Sequence, residues 1–376
     1  MTNPVAMLGL ATAVPPHVLE QAEVAQRAET AFGDTFARFP QLADVFRNTG
    51  IERRYAARPM DWYERPLGWA ERSAVYLDSA TELFIAAAEN ALARANCRAR
   101  DVDVVVTVSS TGIATPSLEA HVAGLIGLRS DAMRVPVFGL GCAGGVSGLA
   151  LAAELARAAP GKVVLLVVVE LCTLAFRRDR ATTADVVATA LFGDGAAAAV
   201  LTCRDSPDAI AKIGAAGQHL FPDSLDVMGW TVDPIGFGVL LSRTLPRFVE
   251  EKLAAPARKF VASAGFGATP VRYVCHPGGA KVLAAVEAAL GLADLTLADE
   301  RIVLRHHGNM SAPTVLFVLA HALAHGLAGP AVLSALGPGF TASFVAIDAG
   351  LQADRATGQG AGQASHDRSL SESRNG

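Results

Sequence analysis

The sequence has 376 residues, 51% hydrophobic and 18% charged, enough for a large buried core but long for one simple domain. A net charge of −4 provides no polybasic surface, so binding to nucleic acid or to an anionic membrane is not indicated. Mean hydropathy is high at +0.34, but the longest apolar run, 163–169, is too short to cross a bilayer. The first residues lack the basic segment of a secretory signal. We therefore expect a cytoplasmic protein without integral membrane association.

Short β-rich runs then alternate with alanine-rich helical stretches along the chain. Near-continuous hydrophobicity predicts strands covered on both faces at 102–109, 163–170, 196–201, 271–275, 331–336 and 343–348. Apolar residues at helical spacing predict helices at 74–95, 149–158 and 280–290. This alternation is typical of a layered α/β protein.

The polar segment 202–221 is the predicted junction between two halves, 1–203 and 204–350. No long Pro/Gly/Ser linker separates them, so we expect the halves to be fused. Residues 351–376 lose every apolar run and cannot offset the entropy of ordering, which predicts a disordered tail.

The cysteines argue against both a disulfide framework and a metal site, because they are odd in number, widely spaced and form no CxxC pair. They are Cys97, Cys142, Cys172, Cys203 and Cys275. We expect free thiols, one of which is a candidate for reactivity.

Cys142 lies in a segment that predicts a strand, a glycine-dense turn and a helix. Its small neighbours Gly141 and Ala143 allow a substrate to approach the sulfur closely. A thiol near a helix N-terminus experiences the positive end of the helix dipole, which lowers its pKa. Cys142 is therefore a candidate nucleophile, and the alternative is an inert cysteine buried in a packed turn.

A cysteine nucleophile needs a base or a cation beside it. His276 ends the predicted strand in VRYVCHPGG, and Asn309 occupies a turn before another helix in RHHGNMSAP. Both polar groups stand at the ends of regular elements, where α/β folds place ligands. Taken singly, His276 could be a hydrogen-bonded core histidine and Asn309 a helix-start residue.

Five motifs in order resemble those of the type III polyketide synthases, the chalcone synthase-like branch of the thiolase superfamily. They are GLGCAGG around Cys142, LFGDGAAAAV at 191–200, HPGG at His276, GNMS at 308–311 and GPGF at 337–340. The resemblance runs from about residue 5 to residue 350. It implies a thiolase-like five-layered αβαβα fold of two related halves, a homodimer, and a catalytic triad of Cys142, His276 and Asn309.

The resemblance also implies the reaction. Cys142 takes the acyl group of a starter acyl-CoA, and malonyl-CoA extends it by decarboxylative Claisen condensation. His276 and Asn309 stabilise the enolate by hydrogen bonds, in the manner of an oxyanion hole. The chain then cyclises in the same cavity. CoA thioesters are the only reactants expected, and the sequence signals no metal, flavin, nicotinamide or other cofactor.

Four further positions are expected to shape the cavity. Phe192 matches a phenylalanine at its mouth, with a core aromatic as the alternative. Val239 falls where plant members have a second phenylalanine, and Ala175 where threonine is usual. Trp230 falls where plant members have glycine. The smaller residues at Val239 and Ala175 widen the site, whereas Trp230 fills one pocket.

CoA phosphates require local cations in a protein of net charge −4. Arg53 and Arg54 match a basic stretch of the family's CoA tunnel, and Lys281 lies near the start of the helix after HPGG. A solvated surface position is the alternative for each of the three. His306 and His307 are expected in a loop, since adjacent residues rarely chelate one ion.

Small side chains at Ala175 and Val239 favour a fatty acyl-CoA starter and an alkylpyrone or alkylresorcinol product. Three alternatives stay open. They are a chalcone-type synthase with an aromatic starter, a ketoacyl synthase of the fatty-acid initiation type that needs a carrier protein, and a non-catalytic acyl-binding protein of the same fold.

Overall fold

The structure is a computed structural model that describes residues 5–267 and 269–349. Its strands are β1 (Val5–Ala13), β2 (His17–Glu20), β3 (Arg53–Ala56), β4 (Val104–Val108), β5 (Met133–Val137), β6 (Val163–Leu171), β7 (Asp194–Thr202), β8 (Ala211–Leu220), β9 (Met228–Val232), β10 (Phe237–Leu241), β11 (Arg272–Cys275), β12 (Gly329–Gly337) and β13 (Thr341–Ala349). Its helices are α1 (Gln21–Ala31), α2 (Gly33–Arg38), α3 (Met60–Tyr63), α4 (Trp69–Arg94), α5 (Leu118–Ile126), α6 (Gly144–Ala158), α7 (Thr183–Leu191), α8 (Leu245–Lys252), α9 (Ala254–Ser263), α10 (Ala280–Leu290), α11 (Ala298–His307) and α12 (Thr314–Ala324).

The central sheet shows that the chain consists of two related halves. Its order is β11-β12-β13-β8-β1-β7-β6-β4-β5. In the first half β4 and β6 are parallel, while β7 is antiparallel to both β6 and β1. In the second half β11 and β12 are parallel, while β13 is antiparallel to both β12 and β8. The two halves join where Val5–Met7 of β1 pairs with 211–213 of β8.

Five layers are stacked through the molecule. Helices α6 and α12 form the middle layer, because α6 contacts β4 and β6 on one side and β12 and β13 on the other, and α12 contacts β1 and β11. Helix α4 covers the outer face of the first half, and α9 covers β13 of the second. Residues Thr314–Leu319 of α12 are all buried, as expected for a helix enclosed by the two halves of the central sheet. The five-layered αβαβα fold expected from the resemblance is confirmed.

Two details of the predicted elements differ from the structure. Helix α6 begins at Gly144, five residues before the predicted start at 149; the prediction missed this first part because it contains three glycines, which have little helical propensity. The polar segment 202–221 is not only a connection, since its second part forms β8. The predicted tail at 351–376 lies outside the described residues.

A separate hairpin of β9 and β10 projects from the second half. Its two strands pair antiparallel, with Trp230 opposite Val239. Both residues line the cavity described below. The hairpin therefore brings side chains of the second half to a cavity that Cys142 of the first half also lines.

Candidate active site

Cys142 lies in a tight turn, Gly141–Ala143, between β5 and α6. Gly141 has φ +46, and a Cβ there would lie 2.6 Å from Cδ of Pro338. A Cβ on Gly337 would lie 2.6 Å from Cβ of Ala143. The GPGF turn is thus packed directly against the turn that contains Cys142, and glycines at these positions permit that approach.

His276 follows the last residue of β11. Its backbone amide donates to the carbonyl of Ser334 at 2.8 Å, which extends the β11–β12 pairing by one residue and fixes the start of the side chain. The imidazole is buried, and neither ring nitrogen has a hydrogen-bond partner within the described part of the chain. Both nitrogens are available to a thiol or to a substrate oxygen.

Asn309 is held by its backbone and by its side chain. Its amide donates to Leu191 O at 2.8 Å, and its carbonyl accepts from Gly193 N at 3.0 Å. The side-chain Nδ2 donates to Gly278 O at 3.1 Å, while Oδ1 accepts from Ser311 N at 2.8 Å. These contacts orient the carboxamide and leave the second N–H of Nδ2 for another acceptor.

Cys142, His276 and Asn309 line one cavity of about 520 Å³ with a mostly apolar wall. Phe192, Val239, Trp230 and Lys281 line the same cavity. Ala175 lies instead in a smaller adjoining pocket of about 50 Å³, which shares Phe192, Val239 and Cys172 with the main cavity. Phe192 and Trp230 meet edge to face at 6.2 Å, and Trp230 Nε1 donates to Ser110 O at 3.0 Å.

Burial controls the electrostatics of the site. It raises the pKa of the Cys142 thiol to about 11, against hydrogen bonds with Ser311 and Asn309 that lower it. It lowers the pKa of His276 to about 3. Each charge is therefore unfavourable alone, whereas a proton passed from the thiol to the imidazole creates two opposite charges that stabilise each other. Burial thus outweighs the lowering of the thiol pKa that was expected from the helix dipole.

The structure corrects the role expected for Arg54. Its side chain is 1% exposed, and Nη1 donates to the carbonyl of Phe192 at 3.0 Å, which leaves it no access to CoA. Burial lowers its pKa to about 9, opposed by the charge of Asp194. Arg53 is exposed on β3 but does not line the cavity. Arg54 thus supports the backbone beside the cavity mouth.

Several residues of the site were not singled out from the sequence. Ser311 adopts φ +59 and lowers the pKa of the Cys142 thiol against the effect of burial, and its place in the quoted GNMS motif was the available signal. Arg243 lines the cavity just after β10. Glu170 accepts from Ser110 N at 2.9 Å and from Thr111 Oγ1 at 2.7 Å behind the wall.

The adjacent histidines belong to a helix rather than a loop. His306 and His307 form the last turn of α11, and His307 stacks on Tyr55 at 5.5 Å. Among the described residues, no group of three or more His, Cys, Asp or Glu is arranged to hold a metal ion. Across the same residues, no helix is both long and apolar enough to cross a bilayer.

A fold of two related α/β halves with a thiol, an imidazole and a carboxamide around an apolar cavity defines a class of acyl-transferring condensing enzymes. Two family models cover nearly the whole chain: "Chalcone and stilbene synthases, N-terminal domain" matches residues 2–205, and the C-terminal domain of the same family matches residues 212–347. The chain belongs to the chalcone and stilbene synthase family of type III polyketide synthases.

Curated relatives and a solved structure agree with this membership. A putative chalcone synthase of Bacillus subtilis is 34% identical over 355 residues, covering 90% of this chain and 97% of that protein. A 1,3,6,8-tetrahydroxynaphthalene synthase of Streptomyces peucetius is 36% identical over 343 residues, covering 89% and 91%. The crystal structure of the tetrahydroxynaphthalene synthase of Streptomyces coelicolor superposes with a TM-score of 0.87 at 27% identity, covering 92% of this chain and 99% of that one.

Proposed function

We propose that this type III polyketide synthase loads a fatty acyl-CoA on Cys142, extends it with malonyl-CoA and cyclises the product to an alkylpyrone or alkylresorcinol. The observation that carries the proposal is the apolar cavity of about 520 Å³ that contains the thiol, with a further apolar pocket beside it. An aliphatic chain is the starter whose surface is best buried against such apolar walls.

In the loading step, the Cys142 proton passes to His276 as the sulfur attacks the thioester carbonyl. The C–S bond to CoA then breaks, and the CoA thiolate leaves with the proton returned by the imidazole. The acyl group is now a thioester of Cys142. No oxidant, reductant or metal enters this exchange.

In the extension step, malonyl-CoA loses CO2 and the electron pair of the broken C–C bond moves into its thioester as an enolate. His276 and the spare N–H of Asn309 Nδ2 donate to the enolate oxygen. The enolate carbon attacks the acyl carbonyl, the C–S bond to Cys142 breaks, and a β-ketoacyl-CoA results. In lactonisation, an enol oxygen of the extended chain attacks the thioester carbonyl, displaces the thiol and gives a pyrone. Aldol closure with loss of water, followed by hydrolysis of the thioester and loss of CO2, gives a resorcinol.

Lys281 and Arg243 are proposed to hold the CoA phosphates. Both are exposed at the cavity, and neither has an ion-pair partner among the described residues. The Arg243 guanidinium lies 5.8 Å from the ring centre of Phe39, and the guanidinium of Arg38 lies 5.4 Å from the same centre. Cations brought together without carboxylates form a site for a phosphate anion.

A homodimer is proposed through the outer edge of β5. This strand ends the central sheet, and within the described residues no strand pairs with its outer side. Met133, Phe138 and Leu125 are exposed there, an arrangement that an isolated chain would leave open to edge pairing. Pairing with the same strand of a second copy would bury these side chains.

The test is product analysis by mass spectrometry with purified protein, malonyl-CoA and starters from acetyl- to stearoyl-CoA, plus coumaroyl-CoA. We expect cyclised products from long aliphatic starters. Preference for coumaroyl-CoA would establish the aromatic-starter alternative, and a single condensation that requires malonyl-carrier protein would establish the ketoacyl synthase. Failure of every starter to acylate Cys142 would leave a non-catalytic acyl-binding protein.

A second candidate is an aromatic polyol synthase that needs no separate starter. The 36% identity to a tetrahydroxynaphthalene synthase favours it. Incubation with malonyl-CoA alone separates the two, because only this candidate yields a product without a fatty acyl-CoA.

A further inference from the structure

The β9–β10 hairpin must be held in place by contacts outside itself. It is a two-stranded sheet, and an isolated hairpin is marginally stable in water. Yet it supplies Met228, Trp230 and Val239 to the cavity wall. The position of the hairpin therefore determines the width of the cavity.

The tip of the hairpin is bound to the first half by an ion pair. Arg177 is 3% exposed, and its Nη1 donates to both carboxylate oxygens of Asp233 at 2.7 Å. This contact lowers the pKa of Asp233 to about 2, helped by backbone donors of the turn. The amides of Ile235 and Gly236 donate to Asp233 Oδ1 at 2.9 and 3.2 Å. Asp233 thus shapes the turn and anchors it.

Two more side chains of the first half bind the same tip. Trp69 Nε1 donates to the carbonyl of Asp233 at 2.8 Å. Arg180 Nη1 donates to Thr231 Oγ1 at 3.1 Å and occupies the space above Gly238, where a Cβ would lie 2.0 Å away. Arg177 and Arg180 follow Ala175, which lies in the adjoining pocket. The tip is therefore fixed to the segment that borders the site.

A row of aromatic rings connects this anchorage to the cavity mouth. Trp69 and Phe237 are 5.1 Å apart, Phe237 and Trp230 5.8 Å, and Trp230 and Phe192 6.2 Å. Packed rings transmit small shifts because protein interiors contain few voids. A displacement of the tip should therefore reach Trp230 and Phe192.

We propose that the Arg177–Asp233 ion pair is a latch that sets the cavity width and thereby selects the length of the starter and the number of extensions. Neither residue lines the main cavity, although Arg177 lines the adjoining pocket, so Asp233 is the purely positioning partner of the pair. The proposal rests on the proposed function for its chemical outcome, but the mechanical role of the pair can be measured without turnover.

The test compares Asp233→Asn with Asp101→Asn. Asp101 is a matched control, because its pKa is also lowered to about 2 by an arginine, Arg98, at a surface position away from the cavity. The carboxamide that Asp233→Asn introduces can still accept from the turn amides, so the variant removes the charge and keeps the turn. We expect hydrogen exchange of amides 228–241 to become at least ten-fold faster in Asp233→Asn and to stay unchanged in Asp101→Asn.

The same variants are then assayed with the starter panel. We expect the Asp233→Asn optimum to move by two or more carbons, or the ratio of products differing by one extension to change at least three-fold. Arg177→Lys, which keeps the charge, should shift the profile less than Arg177→Gln. Arg180→Gln provides a second loosening variant if Asp233→Asn does not fold.

The outcomes separate the two proposals. Unchanged exchange in Asp233→Asn overturns the latch, whatever the activity. Faster exchange with an unchanged product profile overturns its role in specificity. If the wild-type protein makes no polyketide, the proposed function fails, and the exchange measurement still decides whether the latch holds the hairpin.

Discussion

Cys142 and His276 lie in surroundings that disfavour either charge alone, so we propose that proton transfer from the thiol to the imidazole governs the reactivity of Cys142. Burial raises the pKa of the thiol to about 11 and lowers that of the imidazole to about 3. Thiolate forms at neutral pH only where a neighbour stabilises it. We propose that His276, which lines the same cavity, receives the proton and then provides the opposite charge.

Removing the imidazole should slow alkylation of Cys142. In His276→Ala, we expect the rate with iodoacetamide at pH 7 to fall at least ten-fold and the midpoint of the rate–pH profile to rise by one unit or more, because the thiolate loses its partner. The measurement follows the adduct on Cys142 by peptide mass. Identical profiles for variant and wild type would contradict the role of His276.

Arg243 and Lys281 should affect binding of CoA but not the chemistry. In Arg243→Gln and Lys281→Gln we expect KM for an acyl-CoA to rise at least five-fold with kcat unchanged. KM for the matching acyl-pantetheine, which carries no phosphates, should stay the same. Arg258→Gln, an exposed arginine of α9 outside the cavity, is the control. A parallel rise in both KM values would assign these side chains to folding rather than to phosphate.

Glu170 should make the protein less stable as the pH rises. Burial raises its pKa to about 8, so the folded state keeps a proton that the unfolded carboxyl releases near its ordinary pKa of about 4.3. The contribution of the raised Glu170 pKa to the free energy of unfolding is fully present below pH ~4 and is lost as the pH rises through about 8. In Glu170→Gln we expect Tm to change little at pH 5 and to exceed the wild-type value at pH 9. An equal shift at both values would contradict this assignment.

At the scale of elements, the site depends on two turns pressed together backbone to backbone. The GNMS turn pairs with the LFGDG turn through Asn309 and the flanking residues Leu191 and Gly193. A Cβ on Gly193 would lie 2.4 Å from the carbonyl of His307, and one on Gly308 would lie 2.8 Å from Leu191 O. Backbone atoms cannot move aside as a flexible side chain can.

Gly193→Ala should therefore displace Asn309. We expect overpacking to lower the free energy of unfolding by about 1–3 kcal/mol and therefore to lower Tm. We also expect kcat to fall about 100-fold, the effect of losing one oxyanion donor. Gly33→Ala is the control, because a Cβ at Gly33 meets nothing within 4 Å. Wild-type activity in Gly193→Ala would show that the contact between the turns does not position Asn309.

The sequence predicts those elements best whose residues carry a strong local signal. Strands β6 and β7 are uniformly apolar, and α4 keeps a helical period, so their types could be read directly. The start of α6 could not, because its glycines are stabilised by packing against Val108 and Ala312 rather than by helical propensity. Tertiary packing overrides local preference there.

The residues of the candidate site were predictable where a motif fixes the backbone. They were not predictable where the burial of a side chain determines whether it can reach a ligand. Cys142, His276 and Asn309 occupy the ends of elements, so their motifs place them in one region. Arg54 shares a basic stretch with Arg53, yet one is buried and the other exposed, a difference that alternation along β3 produces. Arg243 has no motif of its own, and only folding brings it to the cavity.

At the scale of the whole molecule, the open edge of β5 leads to a test of assembly. Met133 and Phe138 are each more than half exposed beside this edge. We expect the wild type to have twice its chain mass of 38.9 kDa in solution and the Met133→Asp/Phe138→Asp double variant to be monomeric. Light scattering coupled to gel filtration measures both. A dimeric variant would place the interface elsewhere.

The middle layer has a consequence for exchanging parts between relatives. Helix α6 belongs to the first half and α12 to the second, yet each contacts strands of both halves. A chimera joined near residue 204 would combine an α6 and an α12 that had not been selected to pack together. A Cβ on Gly145 of α6 would lie 2.2 Å from the carbonyl oxygen of Ala312, so in the chimera this close contact would be made with the other parent's backbone. Active recombinants should therefore be those that inherit both helices from one parent, even when the sheets come from two.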